Sequence, residues 1–246
     1  MKQIIYTILF SALFVSTISH VVEKFVCIKK AKNNSIIERP FDKKTYNVLY
    51  FVCGLFVSYI SFTNYSFIHA LFITVFAYIS CVVTTIDNRI RIIPNEIVVV
   101  MFFLGLILRF IDGGFISVLY GFISMFAVFV IFMVTLAVTK GFVGGSKVGA
   151  GDLKLMMVVA LASGYPNILY SISAMAIAML VFIILSLMSK TLTLRSTFPM
   201  AGFIVFGLMI GLLNEVVWVW KNILLKNQVN LWLNMHLFFR LCFLRL

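Results

Sequence analysis

The chain has 246 residues, of which 63% are apolar and only 11% are charged. Soluble domains are close to half apolar and a quarter charged, so this composition excludes an ordinary soluble protein and indicates a chain surrounded by membrane lipid. The formal net charge of +12 comes from basic residues that lie between apolar runs. We interpret it as the positive-inside signal of membrane topology, and we expect no nucleic-acid partner.

Apolar runs separated by polar turns predict an all-α polytopic bundle of about eight transmembrane spans, since a span needs roughly 20 apolar residues. The second, fourth and sixth runs are short, which leaves open that one of them is re-entrant. In chain order the predicted spans are 3–22, 47–62, 67–86, 96–111, 115–139, 153–163, 168–188 and 198–220.

The loops that follow the first, third, fifth and seventh spans hold most of the Lys and Arg residues. Because basic loops stay in the cytoplasm, this pattern predicts an N-terminus on the outer side. We expect a first transmembrane helix at 1–22, a short basic cytoplasmic segment at 23–46, a transmembrane bundle at 47–220 and an interfacial amphipathic tail at 221–246.

The cysteines and histidines give no sign of a metal centre. No Cys-x-x-Cys pair occurs among the four cysteines, and the three histidines are scattered along the chain. A zinc site of the usual ligand spacing is therefore absent from the sequence, and we predict neither a metal nor a cofactor.

Two of the eight acidic residues, Asp87 and Asp152, stand at the edges of apolar runs, where an ionisable group is costly and often functional. The predicted topology brings both to the cytoplasmic membrane face. Two close carboxyl groups share one proton, so one can act as a base on water while the other donates a hydrogen bond. A structural interpretation stays open, in which Asp152 caps a helix and Asp87 pairs with Arg89 or Arg91.

The segment before Asp152 is rich in glycine, with Gly144, Gly145, Gly149 and Gly151. It does not match a phosphate-binding loop, because no Gly-Lys-Ser/Thr follows. Glycine instead allows another chain to approach the carboxyl group closely.

The stretch Gly149-Ala150-Gly151-Asp152 resembles the GxGD motif of intramembrane aspartic peptidases, and its continuation through Lys154 resembles the type IV prepilin peptidases in particular. Asp87, followed by Pro94 and Asn95, is similar to the first aspartate segment of that family. Thr197-Phe198-Pro199-Met200-Ala201 resembles the proline segment that opens the last helix of the family.

This resemblance implies a membrane-embedded endopeptidase without a metal, in which Asp87 and Asp152 are the catalytic pair. It implies supporting roles for the remaining motif residues, which are Gly149, Gly151, Lys154, Pro94 and Asn95. The implied substrate is a prepilin or pseudopilin with a basic leader before a hydrophobic helix, cut at the cytoplasmic face of the bacterial cell membrane.

Larger family members carry a methyltransferase domain with paired Cys-x-x-Cys motifs after the first helix. Here that place holds only residues 23–46, with Cys27 as the single cysteine. We therefore expect a short form that cleaves its substrate and does not methylate the new N-terminus. We also expect Glu23, Glu38, Asp42 or Glu96 to offset the positive charge that faces a basic leader.

Two other functions remain open at this point. A small proton- or cation-coupled transporter also uses paired membrane carboxylates, but it usually holds them near the bilayer midplane and within an internal repeat. A non-catalytic assembly subunit would tolerate the loss of both aspartates.

Overall fold

The computed structural model describes residues 2–32, 38–143, 149–189 and 199–214, and the regular structure in these ranges is entirely α-helical. The chain divides into two units, Met1–Leu212 and Leu213–Leu246. The second unit, and with it the predicted tail at 221–246, falls almost wholly outside the described residues. The helices are α1 (Lys2–Lys32), α2 (Lys43–Asn64), α3 (Phe67–Ile90), α4 (Asn95–Val143), α5 (Ala150–Ser163), α6 (Asn167–Met188) and α7 (Ala201–Leu212).

Five of these described helices, α1, α2, α3, α4 and α6, are long and apolar enough to cross a membrane. Large apolar side chains such as Phe115 and Ile177 are mostly exposed on the protein surface, at 76% and 64%. Such a surface fits a lipid environment, so the chain is a multi-pass helical membrane protein. The expected total of about eight spans and the outer N-terminus stay predictions.

The first helix does not stop where its apolar run ends. α1 continues to Lys32 and carries Lys29, Lys30 and Lys32 in its last turn. Lys29 pairs with Glu96 at the start of α4 (2.8 Å), and Lys30 pairs with Glu38 (2.6 Å). The lysines thus lie beside the C-terminal carbonyl groups of α1, where positive charge is favourable.

The fourth and fifth predicted spans form two arms of α4, separated by non-helical Gly113 and Gly114. Gly114 has φ of 61°, a left-handed conformation that glycine adopts without strain. The rings of Phe102 and Phe122 lie 6.5 Å apart across the two arms. The chain therefore reverses direction at the two glycines, and α4 is a helical hairpin.

Short helix α5 packs against both arms of this hairpin. A Cβ atom on Gly105 would lie 3.2 Å from the Cβ of Ala162, and one on Gly121 would lie 2.9 Å from the carbonyl oxygen of Leu161. The missing side chains of the two glycines thus allow α5 to lie close to α4. The second half of α5, from Val158 onward, is completely buried.

A buried arginine holds the far end of α5. Arg109 is 8% exposed, and its Nε donates to the carbonyl oxygen of Ala162 at 2.8 Å, one of the acceptors that a helix end leaves without a partner. Its Nη2 lies 3.5 Å from Oδ2 of Asp112. A Cβ on Gly164, where φ is 60°, would lie 2.9 Å from Nη1 of Arg109, so this position has no room for a side chain.

We predict that Arg109→Met destabilises the protein by about 1–3 kcal/mol, because the Ala162 carbonyl stays buried and loses its donor. Thermal unfolding of the detergent-solubilised protein, followed by circular dichroism, measures the change. Lys24→Met is the control, since Lys24 is exposed on α1. Equal unfolding temperatures for the two variants would contradict a capping role for Arg109.

Candidate active site

Asp87 lies in the last turn of α3 and is almost completely buried, with 6% of its surface exposed. Its Oδ2 accepts the backbone N–H of Ala201 at 3.1 Å. Ala201 is the first residue of α7, and the first N–H groups of a helix have no partner inside it. The start of α7 therefore supplies the donor that a buried carboxylate requires.

The end of α3 is formed by Arg91, which adopts a left-handed conformation (φ 54°, ψ 39°) and donates its N–H to the carbonyl oxygen of Asp87. Buried Pro94 follows, and its carbonyl oxygen accepts the N–H groups of Ile97 and Val98 at 3.2 and 3.3 Å. Proline suits a helix start because its missing N–H is not needed there. Pro94 and Asn95 thus fix where α4 begins after the turn.

Asp152 lies in the first turn of α5. The N-cap of this helix is Gly149, with extended φ and ψ of −65° and 123°, and Gly149 accepts the backbone N–H of Asp152 at 3.1 Å. The N-cap of α5 is therefore Gly149, and the alternative in which Asp152 itself caps the helix is wrong. A Cβ on Gly149 would lie 2.8 Å from Oδ2 of Asp152, so the carboxyl group folds back over the glycine.

Two contacts join the first turn of α5 to the turn between α3 and α4. A Cβ on Gly151 would lie 3.3 Å from the Cβ of Ile93, which is tighter than an ordinary van der Waals contact. Lys154 donates from Nζ to Oδ1 of Asn95 at 3.1 Å. These contacts bring the segment that carries Asp152 against the segment that follows Asp87. Three of the seven residues selected from the sequence make them, namely Gly151, Lys154 and Asn95.

The two carboxyl groups interact electrostatically. Burial, and then the charge of Asp87, raise the pKa of the Asp152 carboxyl to about 6. Both causes disfavour the negatively charged form of Asp152. The charge of Asp87 thus acts on the Asp152 carboxyl group, although the two aspartates come from remote parts of the chain.

The alternative in which Asp87 pairs with Arg89 is not what the structure shows. Arg89 pairs with Glu38, and its guanidinium lies 4.4 Å from the ring centre of Phe41. The hydrogen bonds from Lys30 and then Arg89 lower the pKa of Glu38, so this carboxylate stays ionised. The charges of Arg91 and Arg39 do act on Asp87.

Sequence reasoning missed the contributions of Ala201, Arg39 and Ile93 to this site. The signal for Ala201 was the proline segment before the last helix, since Pro199 and Met200 lead directly into α7. Thr197 and Phe198, which belong to the same motif, lie outside the described residues. So do Gly144 and Gly145.

The site belongs to a helical membrane protein, and its two carboxyl groups lie in the last turn of α3 and the first turn of α5. Residues 74–187 match the model of the type IV leader peptidase family. This match confirms the resemblance that the sequence motifs indicate, and the family implies a protease that acts on a protein substrate. The match includes both Asp87 and Asp152, and it does not favour the transporter alternative.

No significant match to this chain was found among curated proteins, and none was found among solved structures.

We predict that Gly151→Val pushes α5 away from Ile93 and lowers the pKa of Asp152 from about 6 toward the ordinary range of aspartate. The reason is that both burial and the influence of Asp87 weaken as Asp152 moves outward. Carbodiimide labelling of Asp152 across a pH series, read by mass spectrometry, gives the midpoint of its titration.

The double variant with Ile93→Ala makes room for the new side chain and is expected to restore the midpoint. Ala150→Val serves as the matched control, because Ala150 is exposed next to Gly151. An unchanged midpoint in Gly151→Val would show that this contact does not position Asp152.

Proposed function

We propose that the protein is a membrane-embedded aspartic endopeptidase that removes the basic leader of type IV prepilin-like substrates, with Asp87 and Asp152 as its catalytic pair. The observation that carries the proposal is the effect of the charge of buried Asp87 on α3 upon the partly buried carboxyl group of Asp152 on α5, inside a segment that matches the leader peptidase family. A shared site with one proton is the arrangement that hydrolysis by aspartates needs.

The surroundings of the two carboxyl groups suggest different roles for them. Asp87 accepts the N–H of Ala201, and this donor offsets part of the cost that burial imposes on its negative charge. Asp152 retains its proton more readily because its pKa is raised to about 6. We assign Asp87 as the base that takes a proton from the attacking water, and Asp152 as the acid that donates a hydrogen bond to the scissile carbonyl oxygen.

The chemical step then balances within the pair. The water oxygen bonds to the carbonyl carbon as its proton passes to Asp87, and the proton of Asp152 moves to the carbonyl oxygen. When the tetrahedral intermediate collapses, the C–N bond breaks and the amine leaves with the proton held by Asp87. The intermediate's hydroxyl proton returns to Asp152, and the pair again holds one proton.

The basic residues at this end of the molecule support a cytoplasmic location for the site. Arg39 donates its backbone N–H to the carbonyl oxygen of Arg89, two residues beyond Asp87. Lys29 reaches Glu96 in the first turn of α4, next to Asn95. Because basic residues gather on the cytoplasmic side, we place the aspartates at the cytoplasmic face of a bacterial cell membrane and the N-terminus outside.

We also propose that the enzyme does not methylate its product. α1 extends to Lys32 and α2 begins at Lys43, which leaves a short connection where larger family members have a methyltransferase domain. The substrate could be a pilin precursor or a pseudopilin, since both have the same leader chemistry.

We predict that Asp87→Asn and Asp152→Asn each lower leader cleavage by at least about a hundredfold, the usual contribution of a general acid or base. The measurement is co-expression with a candidate prepilin from the same genome, followed by gel shift and mass spectrometry of the new N-terminus. An unmethylated terminus is expected.

The control is Asp42→Asn, because Asp42 is the exposed N-cap of α2 and asparagine caps a helix equally well. This variant is expected to cleave as the wild type does. Cleavage by either of the catalytic-site variants at the wild-type rate would refute the assignment of the pair.

We predict that kcat/KM falls as the pH rises above about 6, because Asp152 then loses the proton that it donates. The pH profile of kcat/KM reports the free enzyme, whereas that of kcat reports the complex with substrate. Bound substrate excludes water and raises the pKa further, so the alkaline limb of kcat is expected at a higher pH than that of kcat/KM. A kcat/KM that is flat between pH 5 and 8, the range over which this carboxyl group must titrate, would exclude Asp152 as the acid.

A further inference from the structure

An apolar groove of about 390 Å³ lies between α3, α6 and α7, near the end of α3 that carries Asp87. This volume is within the range of ordinary ligand sites. Its lining is apolar except for Thr84 and Asn88, and it includes Ala178 of α6 and Phe206 of α7.

The groove is continuous with the candidate active site. Thr84 and Asn88 lie three residues before and one residue after Asp87 on α3, and Pro199 and Gly202 flank Ala201, which binds the Asp87 carboxyl group. One end of the groove is therefore at the level of the aspartate.

From that level the groove extends toward the interior of the membrane. Phe206 lies five residues beyond Ala201 on α7, which corresponds to about 7.5 Å along the helix at 1.5 Å per residue. Gly202 lets α7 approach α3 closely at this end of the groove, since a Cβ atom there would lie 3.2 Å from Cγ2 of Thr84.

The distribution of polar groups indicates a peptide and not a lipid tail. A peptide must leave the helical conformation at the bond that is cut, and its N–H and C=O groups then need partners inside the membrane. Thr84 and Asn88 offer a hydroxyl and an amide at the end nearest to Asp87, and the remaining lining suits apolar side chains deeper in the bilayer. This polar end borders Ala201, which binds the carboxyl group proposed to act on a peptide bond, and a lipid has no such bond to present there.

We infer that this groove binds the apolar stretch of the substrate adjacent to the scissile bond, and thereby sets which peptide bond reaches Asp87. The inference rests on the proposed peptidase function. Because lipid is as apolar as the groove, moving the peptide from lipid into the groove contributes little to the binding free energy. Close packing and the register of the peptide therefore provide the specificity.

The test uses the full-length protein in lipid vesicles and a synthetic peptide. The peptide carries a lysine-rich leader that ends in glycine, followed by a leucine–alanine stretch of three helical turns. Ala178→Phe fills the groove and is expected to lower kcat/KM about tenfold, the scale of an overpacked contact. Ala176→Phe is the matched control with unchanged kcat/KM, because Ala176 lies on the exposed side of α6.

A photoreactive amino acid at position 178 gives a second measurement that does not depend on how well Ala178→Phe folds. In the Asp152→Asn background it is expected to crosslink the leucine–alanine stretch, whereas position 176 does not. Crosslinks only to lipid or to residues 215–246 of the same chain, or unchanged kcat/KM in a folded Ala178→Phe, would overturn the inference. Failure of the wild type to cleave the peptide, or cleavage that survives Asp87→Asn, would instead count against the proposed function.

Discussion

The structure depends on one constraint, which is the burial of the Asp87 carboxyl group at the end of a membrane helix. A buried charge without a partner is unstable in such a place. The partner is the backbone N–H of Ala201 at the start of α7. This bond ties the last described helix to α3, next to the groove that α3, α6 and α7 line.

Helix α5 carries Asp152 in its first turn and has only 14 residues. Its position therefore depends on contacts with its neighbours. It is held at both ends. Gly151 packs on Ile93 beside the α3–α4 turn, and Arg109 binds the carbonyl oxygen of Ala162 at the other end. A short helix fixed in this way can place a carboxyl group accurately without crossing the bilayer, and the α4 hairpin shields its buried half.

The sequence was informative wherever the membrane itself determined the pattern. Apolar runs located most of the described helices to within a few residues, and the scarcity of acidic residues made Asp87 and Asp152 conspicuous. Helix ends were less predictable, because α1 continues past its apolar run into the lysines at 29–32, where the segment is polar but still helical. Ala201 acts through its backbone, which no side-chain pattern reveals. Arg109 lies inside a predicted span, and only the three-dimensional contact with Ala162 shows its role.

The proposed function requires the same end of the molecule to admit a basic leader, although the chain as a whole is strongly positive. The acidic residues that we expected to offset this charge are already engaged: Glu96 with Lys29, Glu38 with Lys30 and Arg89, and Glu23 with Lys43. The pairs that involve Lys29, Lys30 and Lys43 are partly exposed, and pairs of this kind contribute only about 0–1 kcal/mol each. When a lysine of a leader takes the place of a lysine of the chain in such a pair, little free energy is lost. These carboxylates can therefore still bind a substrate. The pair between Arg89 and Glu38 is different, because Arg89 is 9% exposed and packs on Phe41. It fixes the segment that covers the end of α3, while the lysine pairs around it can exchange partners.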